Sequence, residues 1–276
     1  MSVLFATDGG HAAATAARLL ERLGDRARVR IVALSVASFD LALAEAEARG
    51  GYSPQAARSR AEQIAREAAD RLAEAGFEAE PVAAEGHPAL EICRAIEEGG
   101  HELVLVGAGS RSWLGQLLLG SVSTAVLQSA PCSVLVVHEV REDPGPVRVL
   151  VGADGSEGAE HATRILAELA DPERCSVLVV AVARPGGAEP GIGTFPPDRA
   201  TTHGERLAST LASARFAVDV RVAQGHPVQV LLEEADRGGH DLVVAGSRGG
   251  GPVTRTPLGS VSDKLVRHTR ATLIGR

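Results

Sequence analysis

Two aspartates and a spaced run of glycines and serines are the residues of this chain best suited to chemistry. Asp8 and Asp154 each follow a short apolar run, inside Thr7-Asp8-Gly9 and Ala153-Asp154-Gly155. Downstream of the second, Gly246-Ser247-Arg248-Gly249 is followed by nine residues and then by Gly259-Ser260-Val261-Ser262. Glycines let a backbone approach a ligand closely. The free N–H groups of a helix start, with the Ser260 and Ser262 hydroxyls, can hold phosphate oxygens, and Arg248 and Arg255 add positive charge. A carboxylate facing an anion cradle is binding chemistry for a phosphorylated ligand. The aspartates, each just ahead of an expected helix, also suit a capping role.

Nothing in the chain adds an obvious catalytic group. There is no G-x4-G-K-(S/T) loop, no H-x-x-E or H-E-x-x-H metal pair and no G-x-S-x-G elbow. No catalytic residue and no metal ligand is therefore assigned. His87 and His226 each precede a proline at an expected helix start and read as exposed loop residues. His101 and His240 fall at the opposite, amino-terminal end of a strand and receive no chemistry.

The elements that must position these residues occur twice. Gly86-His87-Pro88 returns as Gly225-His226-Pro227, Gly99-Gly100-His101 as Gly238-Gly239-His240, and Gly120-Ser121-Val122-Ser123 as Gly259-Ser260-Val261-Ser262, all at an offset of 139 (86 to 225, 99 to 238, 120 to 259). The aspartates are offset by 146 (8 to 154), and the difference falls in the variable stretches 38–54 and 184–197. Glu139 to Pro146, polar and proline-rich, reads as a linker, which divides the chain into a first domain at 1–140 and a second at 147–276.

Apolar runs alternating with amphipathic stretches predict βαβ units and, per copy, five parallel strands. They fall near Val3–Ala6, Val29–Val36, Phe77–Ala84, Leu103–Gly107 and Ser133–Val137, and near Val147–Gly152, Val177–Val182, Phe216–Ala223, Leu242–Gly246 and Ala271–Ile274. Pro81 inside the third strand marks a sheet edge. With right-handed crossovers the fold class is α/β, two doubly wound five-stranded sheets of order 3-2-1-4-5, with strands 1 and 4 adjacent where the winding reverses. Ligands bind at such a switch point. The fifth strand would be the other edge, yet Ser133–Val137 carries no proline or charge to discourage pairing, so it is expected to pair with its counterpart in a pseudo-twofold.

At these residues the sequence resembles the universal stress protein family, whose ATP-binding members carry G-x2-G-x9-G-(S/T) after strand 4 and an Asp after strand 1. The resemblance runs over nearly the whole chain, twice, and implies an adenine nucleotide alpha hydrolase-like, Rossmann-like fold. It places ligand contacts on Asp154, Val182 at the adenine side, Gly246, Gly249, Gly259, Ser260, Val261 and Ser262. In the first copy they fall on Asp8, Val36, Gly107, Gly120, Ser121, Val122 and Ser123. There Ser110 stands where the second glycine belongs; if that position needs a left-handed backbone, the cost is roughly 1–2 kcal/mol, which makes the first site the weaker one. The resemblance implies ATP as the cofactor, with AMP, ADP and a magnesium ion as further expectations, and a regulatory role in the stress response. A nucleotide-free interaction scaffold and a slow ATPase are the alternatives.

Composition narrows the partners. With 28 basic against 35 acidic residues, a net charge of -7 and only 3% aromatics, no basic surface with interleaved rings is available, and nucleic acid is not an expected partner. No apolar run approaches the ~20 residues of a membrane helix. Cys93, Cys132 and Cys175 are too far apart for a C-x-x-C pair and read as reduced core residues of a cytoplasmic protein. Association of two chains as a homodimer is a further expectation.

Overall fold

The computed structural model describes residues 1–38, 53–108, 119–142, 145–183, 196–248 and 258–276. Gly249, Arg255, Ser110 and most of the variable stretches between strand 2 and the following helix of each copy, residues 39–52 and 184–195, lie outside the described residues.

The first copy consists of β1 (Ser2–Ala6), α1 (His11–Leu23), β2 (Arg30–Ala37), α2 (Pro54–Glu74), β3 (Glu78–Glu85), α3 (Pro88–Gly99), β4 (Leu103–Gly107), α4 (Ser121–Ser129) and β5 (Ser133–Val137). The second repeats the series: β6 (Val147–Ala153), α5 (Glu157–Leu169), β7 (Cys175–Ala183), α6 (Pro197–Ser213), β8 (Ala217–Gln224), α7 (Pro227–Arg237), β9 (Leu242–Gly246), α8 (Ser260–His268) and β10 (Ala271–Gly275). The third strands begin one residue later than expected because the Phe77 and Phe216 N–H groups donate to Leu72 and Leu211, closing the preceding helices rather than joining the sheet.

Both halves show the 3-2-1-4-5 order. They run together into one ten-stranded sheet, β3-β2-β1-β4-β5-β10-β9-β6-β7-β8. Every pairing is parallel except the central one, where β5 and β10 lie antiparallel with Val137 opposite Ala271 and Val134 opposite Ile274. The two expected sheets are thus continuous, and the apolar fifth strands, edges in either copy alone, become the middle of the whole. β3 and β8 are the outer edges, as Pro81 indicates.

Successive strand residues face opposite sides. In β1, Val3 and Phe5 join the core under α1, α2, α5 and α6, and Leu4 joins the core under α3, α4, α7 and α8. A sheet covered on both faces needs strands that are apolar almost throughout; β4 and β9 are apolar along their whole length, and β5 and β10 carry one small buried polar residue each, Ser133 and Thr272. Cys175 is buried and the thiols of Cys132 and Cys175 are pushed up to about 12 by burial; all three cysteines are unpaired.

At the amino-terminal end of the strands, Asp241 is only 1% exposed and binds the two halves to the linker. Its Oδ2 accepts from the Arg148 N–H at 2.9 Å and from Arg141 Nη2 at 3.2 Å. Arg22, from α1 of the first half, donates to the Arg141 and Gly145 carbonyls at 2.6 and 3.1 Å.

Candidate functional site

At the carboxyl ends of the strands the switch point forms where β6 and β9 pair in parallel, Val149 beside Leu242 through Val151 beside Val244. Asp154 directly follows β6. It is not the cap of α5: that position belongs to Ser156, whose Oγ accepts from the Ala159 N–H at 3.1 Å. Asp154 Oδ1 accepts in turn from the Ser156 N–H at 3.0 Å and from the Ser156 hydroxyl at 2.6 Å. Asp8 behaves alike, with Oδ1 accepting from the Gly10 N–H at 2.8 Å, while Gly10 occupies the cap position of α1. Both aspartates therefore brace the turn between strand and helix.

The opposite wall is the start of α8. Its first main-chain helical bond is from the Asp263 N–H to the Gly259 carbonyl, and Gly259 offers no side-chain cap. The N–H groups of Ser260, Val261 and Ser262 have no partner among the described residues. Ser260 is exposed and Val261 half-buried. Ser262 is buried and donates its hydroxyl hydrogen to the Gly246 carbonyl at 2.6 Å, as Ser123 does to Gly107 at 2.7 Å. The expected phosphate-holding hydroxyl at this end is thus that of Ser260, and Ser262 anchors the helix to β9. The Gly259 N–H donates to the Ser247 carbonyl at 2.7 Å, tying both ends of the glycine-rich loop together.

Gly246 has a packing role as well. A Cβ there would lie 2.7 Å from Ala159 N and 2.8 Å from Ser156 Oγ, so only glycine lets α5 start this close to β9. Gly107 stands in the same relation to Ala12. Arg248 is exposed just beyond β9, and Val182 is buried at the end of β7, with Val36 half-buried at the end of β2. His87 and His226 are exposed and cap nothing with their rings; His101 and His240 are buried at the far end of the strands, where burial lowers their pKa values.

The sequence profile of the universal stress protein family matches residues 1–138 and again residues 147–274. The chain belongs to the universal stress protein family. A universal stress protein of Mycolicibacterium smegmatis is 34% identical over 173 residues, 60% of this chain and 58% of that protein. One of Mycobacterium tuberculosis is 33% identical over 186 residues, 63% of this chain and 61% of that protein. The matches thus span about three-fifths of these relatives' length. Among solved structures, a universal stress protein from Archaeoglobus fulgidus superimposes with a TM-score of 0.73 at 22% identity, over 100% of this chain and 98% of that one, a likeness of fold.

Within this tandem universal stress protein the two switch points are not alike. Asp8 is exposed, whereas Asp154 is half-buried and its carboxyl is raised above the usual range by desolvation, which the Ser156 bonds and the nearby His203 only partly offset. His203, on α6, lies against the turn so closely that a Cβ on Gly155 would meet its Cε1 at 2.5 Å. Gly155 has φ +68°, a left-handed turn conformation that favours glycine. In the first copy Ile64 holds the equivalent place against Gly9. His203 was missed by motif reasoning because it belongs to no motif. The 139-residue offset, which sets His203 on Ile64, would have exposed the exchange of a hydrocarbon for an imidazole.

Proposed function

We propose that the second copy is an adenine-nucleotide site, with ATP as the ligand, and that the protein is a regulatory module of the stress response working in the cytoplasm, with 1–140 and 147–276 as its two units. The observation that carries this reading is the pairing of three N–H groups without a partner among the described residues, those of Ser260, Val261 and Ser262, with a desolvated carboxylate at Asp154 at the same strand ends. Orphan donors at a helix start favour an anion, and a carboxylate raised by burial gains from a hydroxyl or cation brought beside it. The residues fit a nucleotide. The α8 start, Ser260 and Arg248 would hold phosphate oxygens, Asp154 a ribose hydroxyl or a phosphate-bound magnesium ion, and Val182 the adenine side. The polyphosphate supplies the charge, and the protein's own contribution is to bind and orient it. No general base is identified for hydrolysis.

In the first copy the exposed Asp8, the Ile64 side chain at its turn and Ser110 in the motif favour a scaffold role for that half. Equilibrium dialysis of labelled ATP against the wild type, Asp154→Ala and Gly249→Ala tests the reading. Binding to the wild type that falls tenfold or more in the variants is expected, and equal binding by all three would refute it.

A further inference from the structure

The two outer edges of the sheet are built differently, and one is self-complementary. Gly225 N–H donates to the Ala183 carbonyl, so by the alternation of a strand the odd-numbered residues of β8 turn their N–H and C=O toward β7. Val218, Val220 and Val222 then turn theirs outward, to a side where no strand lies among the described residues. Val220 and Val222 are also 42% and 38% exposed, high for valines in a sheet. Around Val220 the sequence Ala217-Val218-Asp219-Val220-Arg221-Val222-Ala223 reads nearly the same in both directions, except that Asp219 on one side is answered by Arg221 on the other.

We propose that β8 is the docking surface for a second copy of this chain, pairing antiparallel with its own counterpart about a twofold axis at Val220. That register sets Val218 opposite Val222 of the second copy, Ala217 opposite Ala223, and Asp219 opposite Arg221, twice. Registers centred on Asp219 or Arg221 would instead set like charges opposite each other. The outward-facing valines would form the hydrogen-bonded pairs, and Asp219 with Arg221 the closer, non-hydrogen-bonded pairs, where cross-strand charges interact most strongly. Asp219 has no ion-pair partner among the described residues. Arg221 gives Nη1 to Glu234 at 2.6 Å, and its guanidinium has further N–H groups to give.

The other edge is closed to this pairing. By the same alternation, read from the Gly86 N–H on the Ala37 carbonyl, the outward residues of β3 include Pro81, which has no N–H. Pro81 is the repeat equivalent of Val220, and Glu80 and Val82 stand where Asp219 and Arg221 do, so no opposite charge answers Glu80. One open edge and one blocked edge yield a closed dimer rather than a filament.

Sedimentation equilibrium on the full chain, with Asp219→Arg, Arg221→Asp and an equimolar mixture of the two, tests the inference. The wild type should sediment at twice the 28.5 kDa chain mass. Either charge reversal alone sets like charges opposite and should weaken the dimer about tenfold or more. The mixture should recover it, because in the mixed dimer both cross-strand pairs are again of opposite sign. Far-UV circular dichroism on each variant verifies folding. A monomeric wild type, a dimer indifferent to either reversal, or reversals that dissociate it without recovery on mixing would each overturn the proposal.

Discussion

Asp154 is held against its own preference. Its surroundings remove water from a carboxylate and return only the Ser156 bonds and the proximity of His203, so the raised value means that ionisation costs folding free energy. The sign follows: between the usual carboxylate range and the raised value the folded protein holds the proton that the unfolded chain has released, and stability falls as pH rises through that window. Asp154→Asn keeps an oxygen to accept from Ser156 and removes the charge. In ligand-free protein at neutral pH the variant should therefore melt higher than the wild type, and the difference should vanish as the pH falls below the usual carboxylate range. Melting curves across that range check this; a variant less stable at neutral pH would mean the carboxylate is structural. Asp154 itself was legible, because an aspartate after an apolar run, repeated at Asp8, stands out. Its desolvation was not, since burial of a turn depends on what packs around it, and the His203 ring that lies against Gly155 comes from another element.

The helices α4 and α8 owe their placement to one hydroxyl each. Ser123 and Ser262 are buried and donate to the last carbonyl of β4 and β9, so each fixes the first turn of its helix over the strand end. Ser262→Ala should cost about 1–3 kcal/mol in denaturant unfolding, the range for a buried hydrogen bond whose acceptor is left behind, while Ser260→Ala, at an exposed position, should cost within about 0.5 kcal/mol. The repeated G-S-V-S made both serines visible as a pair. Which one faces a ligand and which faces the strand could not be read, because two residues of spacing in a first helical turn send side chains to different sides, and only the position of the strand end decides between them. Strand order was more legible: Pro81 and the charged alternation in Val218–Val222 mark edges, and uninterrupted apolar runs mark strands covered on both faces.

For the whole molecule, the sequence repeat translates into a single sheet with a pseudo-twofold between β5 and β10. The absence of any edge-protecting residue in Ser133–Val137 was enough to indicate that pairing. The clamp of Asp241, Arg141 and Arg22 was not foreseeable, since its members come from a strand start, the linker and a helix of the other half. The halves share a frame but have diverged where a ligand would sit, with Ile64 answered by His203 and an exposed Asp8 answered by a half-buried Asp154. Gly107 and Gly246, which packing requires, stand in both copies, while the residues around the turns differ.

If the start of α8 and Asp154 receive a nucleotide, the first amides of that helix must respond to it. Amide-resolved NMR of the full chain titrated with ATP reads those groups directly. Saturable shifts of the Ser260, Val261 and Ser262 amides are expected, at ATP concentrations about tenfold or more below any that move Ser121, Val122 and Ser123. Amides at the α8 start that stay in place while ATP is bound elsewhere, or is not bound at all, would contradict the account.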